Sequence, residues 1–246
     1  MAIMEGANET PKSDTRLLLI VPAYNEATNI ENTVKAIREY GFSFIVVNDG
    51  STDSTEEVLQ RIKAPHIKLI NNLGIGGAVQ TGYKYAKENG FDIAIQFDGD
   101  GQHDASFVGK LIEPIVSGQA NLVVGSRFVG DMSSFQSSSA RRAGIKLLSW
   151  TLKAATGKRI LDVTSGFRAA DRSIINLFAE NYPSDYPEPE SIAYVISQGY
   201  RVAEVPVSMN ERTGGVSSIA GFDIFWYMIK VGLSILLRGA YRGRMT

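Results

Sequence analysis

The sequence predicts an α/β protein with a mostly parallel sheet and helices on both faces. Two observations carry this. Short apolar runs alternate with helical patterns through the first half, and those runs are almost continuously apolar. Strands of that kind are buried on both sides, which is the mark of a parallel sheet covered by crossover helices. A third observation concerns function: the polar clusters follow the strands directly, and sheets of this class place their sites at strand carboxyl ends.

In order, "LLLIVP", "FIVVND", "IKLIN", "IAIQFD" and "NLVVGS" read as strands. "NIENTVKAIREYG", "STEEVLQRI", "GGAVQTGYKYAKENG" and "ASFVGKLIEPIVSG" read as the helices between them. The second half is less regular. It predicts a helix over 145–155, another over 190–198 and a strand at "RVAEVPV". The polar first 15 residues read as a flexible tail without the apolar run of a signal peptide. The serine-rich "SSFQSSS" reads as a mobile loop. Residues 219–246 form an amphipathic C-terminal helix, with Ile224, Phe225, Met228, Val231, Ile235 and Leu236 on one face. Asp223 and Lys230 interrupt that stretch, and no segment reaches the roughly 20 charge-free apolar residues of a membrane span.

Composition excludes several classes. A net charge of −1 argues against a general nucleic-acid binder. The absence of cysteine removes disulfides and thiolate zinc sites. The first strand ends "VPAYNE", not in a glycine-rich dinucleotide turn. Pro22 removes a backbone donor there, and Glu26 adds negative charge where a pyrophosphate needs amides.

The decapeptide "IQFDGDGQHD" concentrates Asp98, Asp100, Gln102 and Asp104 after an apolar strand. Such carboxylates repel one another. A hard cation such as Mg2+ or Mn2+ relieves this, and an Asp/Gly turn with a helix cap is the plainer alternative. "NLGIGGAVQTG", with Gly76, brings a helix close either to a nucleotide or to a strand. Asp49 in "VVNDGSTDST" suits a base or ribose, or caps the next helix.

Taken together, "VPAYNE", "VVNDGSTDST", "FDGDGQHD", "VVGSRF", "DVTSGFRA" and "YRVAEVPVSMNERTGG" resemble glycosyltransferase family 2, with the Rossmann-like GT-A fold. Within it the likeness is to dolichyl- and undecaprenyl-phosphate sugar synthases; it spans about Leu17 to Ser218 and implies a GT-A domain over residues 16–218. The resemblance implies that Pro22, Tyr24 and Glu26 surround the nucleotide base, with Asp49 on the nucleoside. It implies that Asp98, Asp100 and Gln102 hold Mg2+ or Mn2+. Arg127 would meet the donor diphosphate or acceptor phosphate, and Arg141 and Arg142 the lipid phosphate. Arg168 and Arg212 would make further phosphate or donor contacts. For the arginines, a plain structural role stands beside this: a solvated helix charge for Arg141 and Arg142, or a pair with Asp162 or Asp171 for Arg168. Glu190 matches an acidic family position, but Pro187 and Pro189 leave its role open.

The implied activity is inverting transfer from a nucleoside-diphosphate sugar, UDP by preference, to polyprenyl phosphate. That places the enzyme peripherally on the cytoplasmic face of the membrane, with a homo-oligomer possible and no nucleic-acid partner. The alternatives are a family 2 enzyme with a soluble or glycan hydroxyl acceptor and a non-catalytic nucleotide-sugar scaffold.

Overall fold

The computed structural model describes residues 15–130, 139–184 and 186–209. Seven strands form one sheet: β1 (Leu17–Ala23), β2 (Ser43–Asn48), β3 (His66–Lys68), β4 (Ile93–Gln96), β5 (Leu122–Ser126), β6 (Arg168–Asp171) and β7 (Val202–Pro206). The helices are α1 (Ile30–Glu39), α2 (Thr55–Arg61), α3 (Gly74–Glu88), α4 (Val108–Val116), α5 (Ser139–Thr156), α6 (Arg172–Glu180) and α7 (Pro187–Ser197).

The strand order is β3-β2-β1-β4-β6-β5-β7. Pairings of β1 with β2 and β4, of β2 with β3, and of β5 with β7 are parallel. β6 alone runs antiparallel, between β4 and β5. This is the expected mostly parallel α/β sheet, with one reversed strand and α6 added. Neither addition was read from the sequence.

Alternation along each strand sorts the core into two layers. Leu18 and Ile20 of β1 face Val79 and Tyr83 of α3, Leu148 and Leu152 of α5, and the apolar faces of α6 and α7. Leu19 and Val21 face Ile30, Val34 and Ile37 of α1, Leu59 of α2 and Leu111 of α4. Both faces of the sheet are therefore covered, which is why its strands carry so few polar residues. The sheet's polar edge is left at the strand ends. The expected C-terminal helix, Arg212 and most of "SSFQSSS" lie outside the described residues.

Candidate active site

The ends of β1 and β2 are tied together before any ligand is considered. Asn25 adopts φ 55, a left-handed conformation that asparagine tolerates. Its Oδ1 accepts from the Thr52 N–H at 2.9 Å, and its own N–H donates to Ser51 Oγ at 3.0 Å. The Glu26 N–H donates to Thr55 Oγ1 at 2.9 Å. The turn after Pro22 is thus bolted to the turn after Asn48. Asp49 is buried, and its Oδ1 accepts from the Leu73 N–H at 2.7 Å. That bond adds the β3–α3 loop to the assembly. The helix-start role open to Asp49 falls instead to Asp53, which accepts from the Thr55 N–H at 2.9 Å.

The acidic turn after β4 has its own brace. The Asp98 N–H donates to His103 Nδ1 at 2.9 Å, which leaves the ring proton on Nε2, 3.5 Å from Asp98 Oδ2. The ring stacks on Phe167, with centroids 4.6 Å apart, and meets Phe97 edge-on. Burial lowers the His103 pKa below its ordinary value, against the pull of Asp98 and Asp100. A neutral imidazole therefore closes the loop. Asp100 is buried and accepts the Gln102 N–H on Oδ1 at 3.0 Å. The Asp104 carboxylate caps the turn that leads into α4.

A cavity of about 410 Å³ collects these strand ends. Pro22, Tyr24, Glu26, Asp49, Asp98 and Asp100 all line it, as do Gln96, Asn72, Gly74 and Glu188. The predicted nucleoside set and two of three predicted metal ligands thus share one wall. Gln102 is not in the lining and contributes its backbone to Asp100. Two carboxylates fit a small hard cation that completes its shell with substrate phosphates and water. Among the described residues, no cluster of three or more His, Cys, Asp or Glu is built.

Other predicted residues stand elsewhere. A Cβ on Gly76 would fall 2.4 Å from the Pro183 carbonyl oxygen, so this glycine lets α3 pack on that loop, and Gly74 is the one at the cavity. Arg127 is 8% exposed and chelates Asp162: Nε to Oδ2 and Nη2 to Oδ1, both at 2.7 Å. Asp162 therefore partners Arg127, not Arg168. Arg168 is 1% exposed. It donates to the carbonyls of Ser165 at 2.6 Å, Val163 at 3.2 Å and Glu188 at 2.7 Å, and to Ser191 Oγ at 2.7 Å. It is a strut between β6 and α7, and neither arginine lines the cavity. Arg142 is exposed on α5, and the side chain of Arg141 is outside the described residues.

Four residues escaped sequence reasoning. Gln96 and Glu188 line the cavity, and His103 braces it. Gly166 gives it room, because a Cβ there would sit 2.9 Å from Gln96 Nε2 and 3.0 Å from Asp98 Oδ2. Burial raises the Glu188 carboxyl above its ordinary range; nearby Arg168 opposes this and Asp98 adds to it. Glu190, the acid singled out in sequence, is buried within α7 and is absent from the lining.

Residues 18–178 match the family model for glycosyl transferase family 2. The chain is 31% identical over 246 aligned residues to the UDP-N-acetylglucosamine–dolichyl-phosphate N-acetylglucosaminyltransferase of Methanococcus voltae, covering 89% of this chain and 98% of that one. It is 27% identical to the polyprenol monophosphomannose synthase of Mycolicibacterium smegmatis, over 92% of this chain and 91% of that one. The fold is shared with a crystal structure of glucosyl-3-phosphoglycerate synthase from Mycobacterium tuberculosis in complex with Mn2+, UDP-glucose and phosphoglyceric acid. There the TM-score is 0.70 and the identity 22%, over 95% of this chain and 82% of that chain. With this match and an acidic, nucleoside-sized cavity at the strand ends, the chain is a glycosyltransferase that belongs to glycosyl transferase family 2.

Proposed function

We propose that the enzyme moves a sugar from a nucleoside diphosphate to a polyprenyl phosphate, with inversion at the anomeric carbon. The observation that carries this is the meeting of Pro22, Tyr24, Glu26 and Asp49 with Asp98 and Asp100 around one cavity. The nucleoside sits at the β1 and β2 ends. Asp49, with Oδ1 held by Leu73, keeps Oδ2 to accept from it. Asp98 and Asp100 would hold Mg2+ or Mn2+, which would supply charge that stabilises the departing diphosphate. The solved synthase of the same fold was obtained in complex with Mn2+ and UDP-glucose, which supports this donor site. The lipid acceptor is supported by the relatives, whose names specify dolichyl phosphate and polyprenol monophosphomannose.

In the reaction an acceptor phosphate oxygen attacks the anomeric carbon. Its new C–O bond forms as the bond to the diphosphate breaks, and the electron pair leaves with the nucleoside diphosphate. A phosphate whose second pKa is about 6 is largely dianionic at neutral pH and needs no general base. Arg142, Arg141 and Arg212 are the proposed acceptor-phosphate cations. The buried Arg127–Asp162 pair holds the adjoining loop.

A polyprenyl tail stays in the bilayer, so the enzyme has to reach it. Among the described residues no helix is long and apolar enough to cross a membrane. α5 exposes Leu147 and Trp150 beside Lys146 and Lys153. That mixture suits the headgroup region and supports peripheral contact. The amphipathic segment 219–246 is the second proposed contact.

The test is a panel of UDP- and GDP-sugars with Mg2+, with and without undecaprenyl phosphate, followed by extraction of lipid-linked sugar. Expected is nucleoside diphosphate release that depends on the lipid. Efficient glycosylation of a soluble acceptor, with polyprenyl phosphate ignored, would overturn the reading.

A further inference from the structure

We propose that Gln96 and Glu188 form a sugar-reading subsite, which binds hydroxyl groups of the transferred sugar; this rests on the nucleotide-sugar reading above. Gln96 is 1% exposed, yet it lines the cavity. Among the described residues, its Oε1 is the buried side-chain polar atom with no hydrogen-bond partner. A buried acceptor without a donor is costly, and native structures keep one chiefly where something else supplies the donor.

The orientation of the amide does not remove the problem. Nε2 lies 3.3 Å from Asp98 Oδ1 and donates to it. Turning the amide over would set Oε1 against that carboxylate and leave Nε2 unpartnered instead. In either orientation one half of a buried amide lacks a partner among the described residues. Gly166 keeps that position open, since any side chain there would crowd Nε2 and the Asp98 carboxylate.

Glu188 shares the cavity with Gln96 and is fixed from behind. Its carbonyl accepts from Arg168 Nη1 at 2.7 Å and from Ser191 Oγ at 3.1 Å, and Pro187 and Pro189 flank it. The backbone is therefore held in place, while among the described residues no other side chain hydrogen-bonds to the carboxyl, which feels the nearby charges of Arg168 and Asp98. A carboxyl and an amide oxygen are both acceptors. The ligand that satisfies both is one with several O–H donors on a small ring.

The sheet order says which part of the donor this is. Asp49 follows β2, Pro22 lies in β1, and Asp98 follows β4. β6 is next, and its Arg168 holds Glu188. A nucleoside-diphosphate sugar is linear. With the nucleoside at β2 and β1 and the diphosphate at Asp98 and Asp100, the sugar falls toward Gln96 and Glu188. Acceptors aimed at hydroxyls discriminate strongly, because a sugar lacking the matching hydroxyl leaves them unpaired.

The experiment is calorimetric titration of the full chain in Mg2+ with UDP, UDP-glucose, UDP-N-acetylglucosamine, GDP and GDP-mannose. Wild type is compared with Gln96→Met and Glu188→Gln. Each variant is expected to keep its affinity for the free nucleoside diphosphate within about twofold, and to shift the ratio of nucleotide-sugar to nucleoside-diphosphate affinity by about tenfold. Glu188→Gln changes a group at the cavity wall and guards against a folding defect in Gln96→Met. An equal loss for nucleotide and nucleotide sugar would assign the pair to the metal or diphosphate and overturn the proposal. Unchanged ratios in both variants would overturn it too. A wild-type protein that binds none of the five ligands would instead refute the nucleotide-sugar reading, and the subsite with it.

Discussion

Glu188 and Glu190 are separated by one residue and have opposite fates. Glu190 turns into the packing of α7, and Glu188 reaches the cavity. Spacing alone could not choose between them, because Pro187 and Pro189 set where the helix begins. The choice has a thermodynamic signature. Burial raises the folded-state pKa of Glu188 above the ordinary 4.5. Below pH 4.5 both states hold the proton. As pH rises from there through the raised value, the unfolded chain releases it first, and stability is lost. Glu188→Gln has no such dependence. Urea unfolding without divalent ion should show the variant gaining on wild type between pH 4 and pH 8. An identical difference at both pH values would mean that the carboxyl is not shifted. The Arg127–Asp162 pair makes a second prediction at this scale. Asp162→Ala strands a buried guanidinium and should cost about 3–5 kcal/mol in urea unfolding. Joint replacement by Arg127→Met and Asp162→Leu should recover most of that loss.

Most elements were legible because their periodicity was strong. Four of the five apolar runs of the first half are strands β1, β2, β4 and β5, "IKLIN" overlaps β3 only at Ile67 and Lys68, and the helical patterns between them are α1 to α4. β6 was not legible. Its four residues, "RAAD", carry no alternation, and its antiparallel place between β4 and β5 depends on long-range pairing. The strand-end acids were legible because chemistry concentrates there. The arginines were not, since a guanidinium that reads as a phosphate ligand in sequence serves equally as a buried strut, as Arg168 does. Gly76 stayed open between two readings for a related reason: a glycine-rich helix start looks the same whether it approaches a ligand or packs against protein. Its actual neighbour gives a direct test. Gly76→Ala places a methyl group 2.4 Å from the Pro183 carbonyl oxygen, with Ser184 backbone at 2.7 Å. Overpacking of this kind should cost about 1–3 kcal/mol. An unchanged thermal midpoint would show that the loop yields freely.

At the scale of the whole molecule, the two ends of the cavity differ in how far apart their residues lie in the chain. The proposed nucleoside end and the acidic turn come from residues between Pro22 and Asp100. Glu188, Arg168 and Gly166 arrive only when the chain returns through β6. The proposed divalent-ion dependence belongs to the first group. Excess EDTA should abolish turnover, and added Mg2+ or Mn2+ should restore it. Asp100→Asn should lower kcat by at least about a hundredfold, the scale of losing one electrostatic contact to a developing charge. Full turnover in EDTA would remove the metal from the reaction. The reversed strand has a further consequence, for ancestry. Because β6 splices the later segment into a sheet that the earlier strands begin, substitutions at residue 188 can alter the proposed sugar subsite while the β1 and β2 ends stay as they are, whereas residue 166 is held as glycine by its closeness to Asp98. On the proposed subsite, new sugar preferences are then reachable by substitutions around residue 188, without reinventing how the activated donor is gripped.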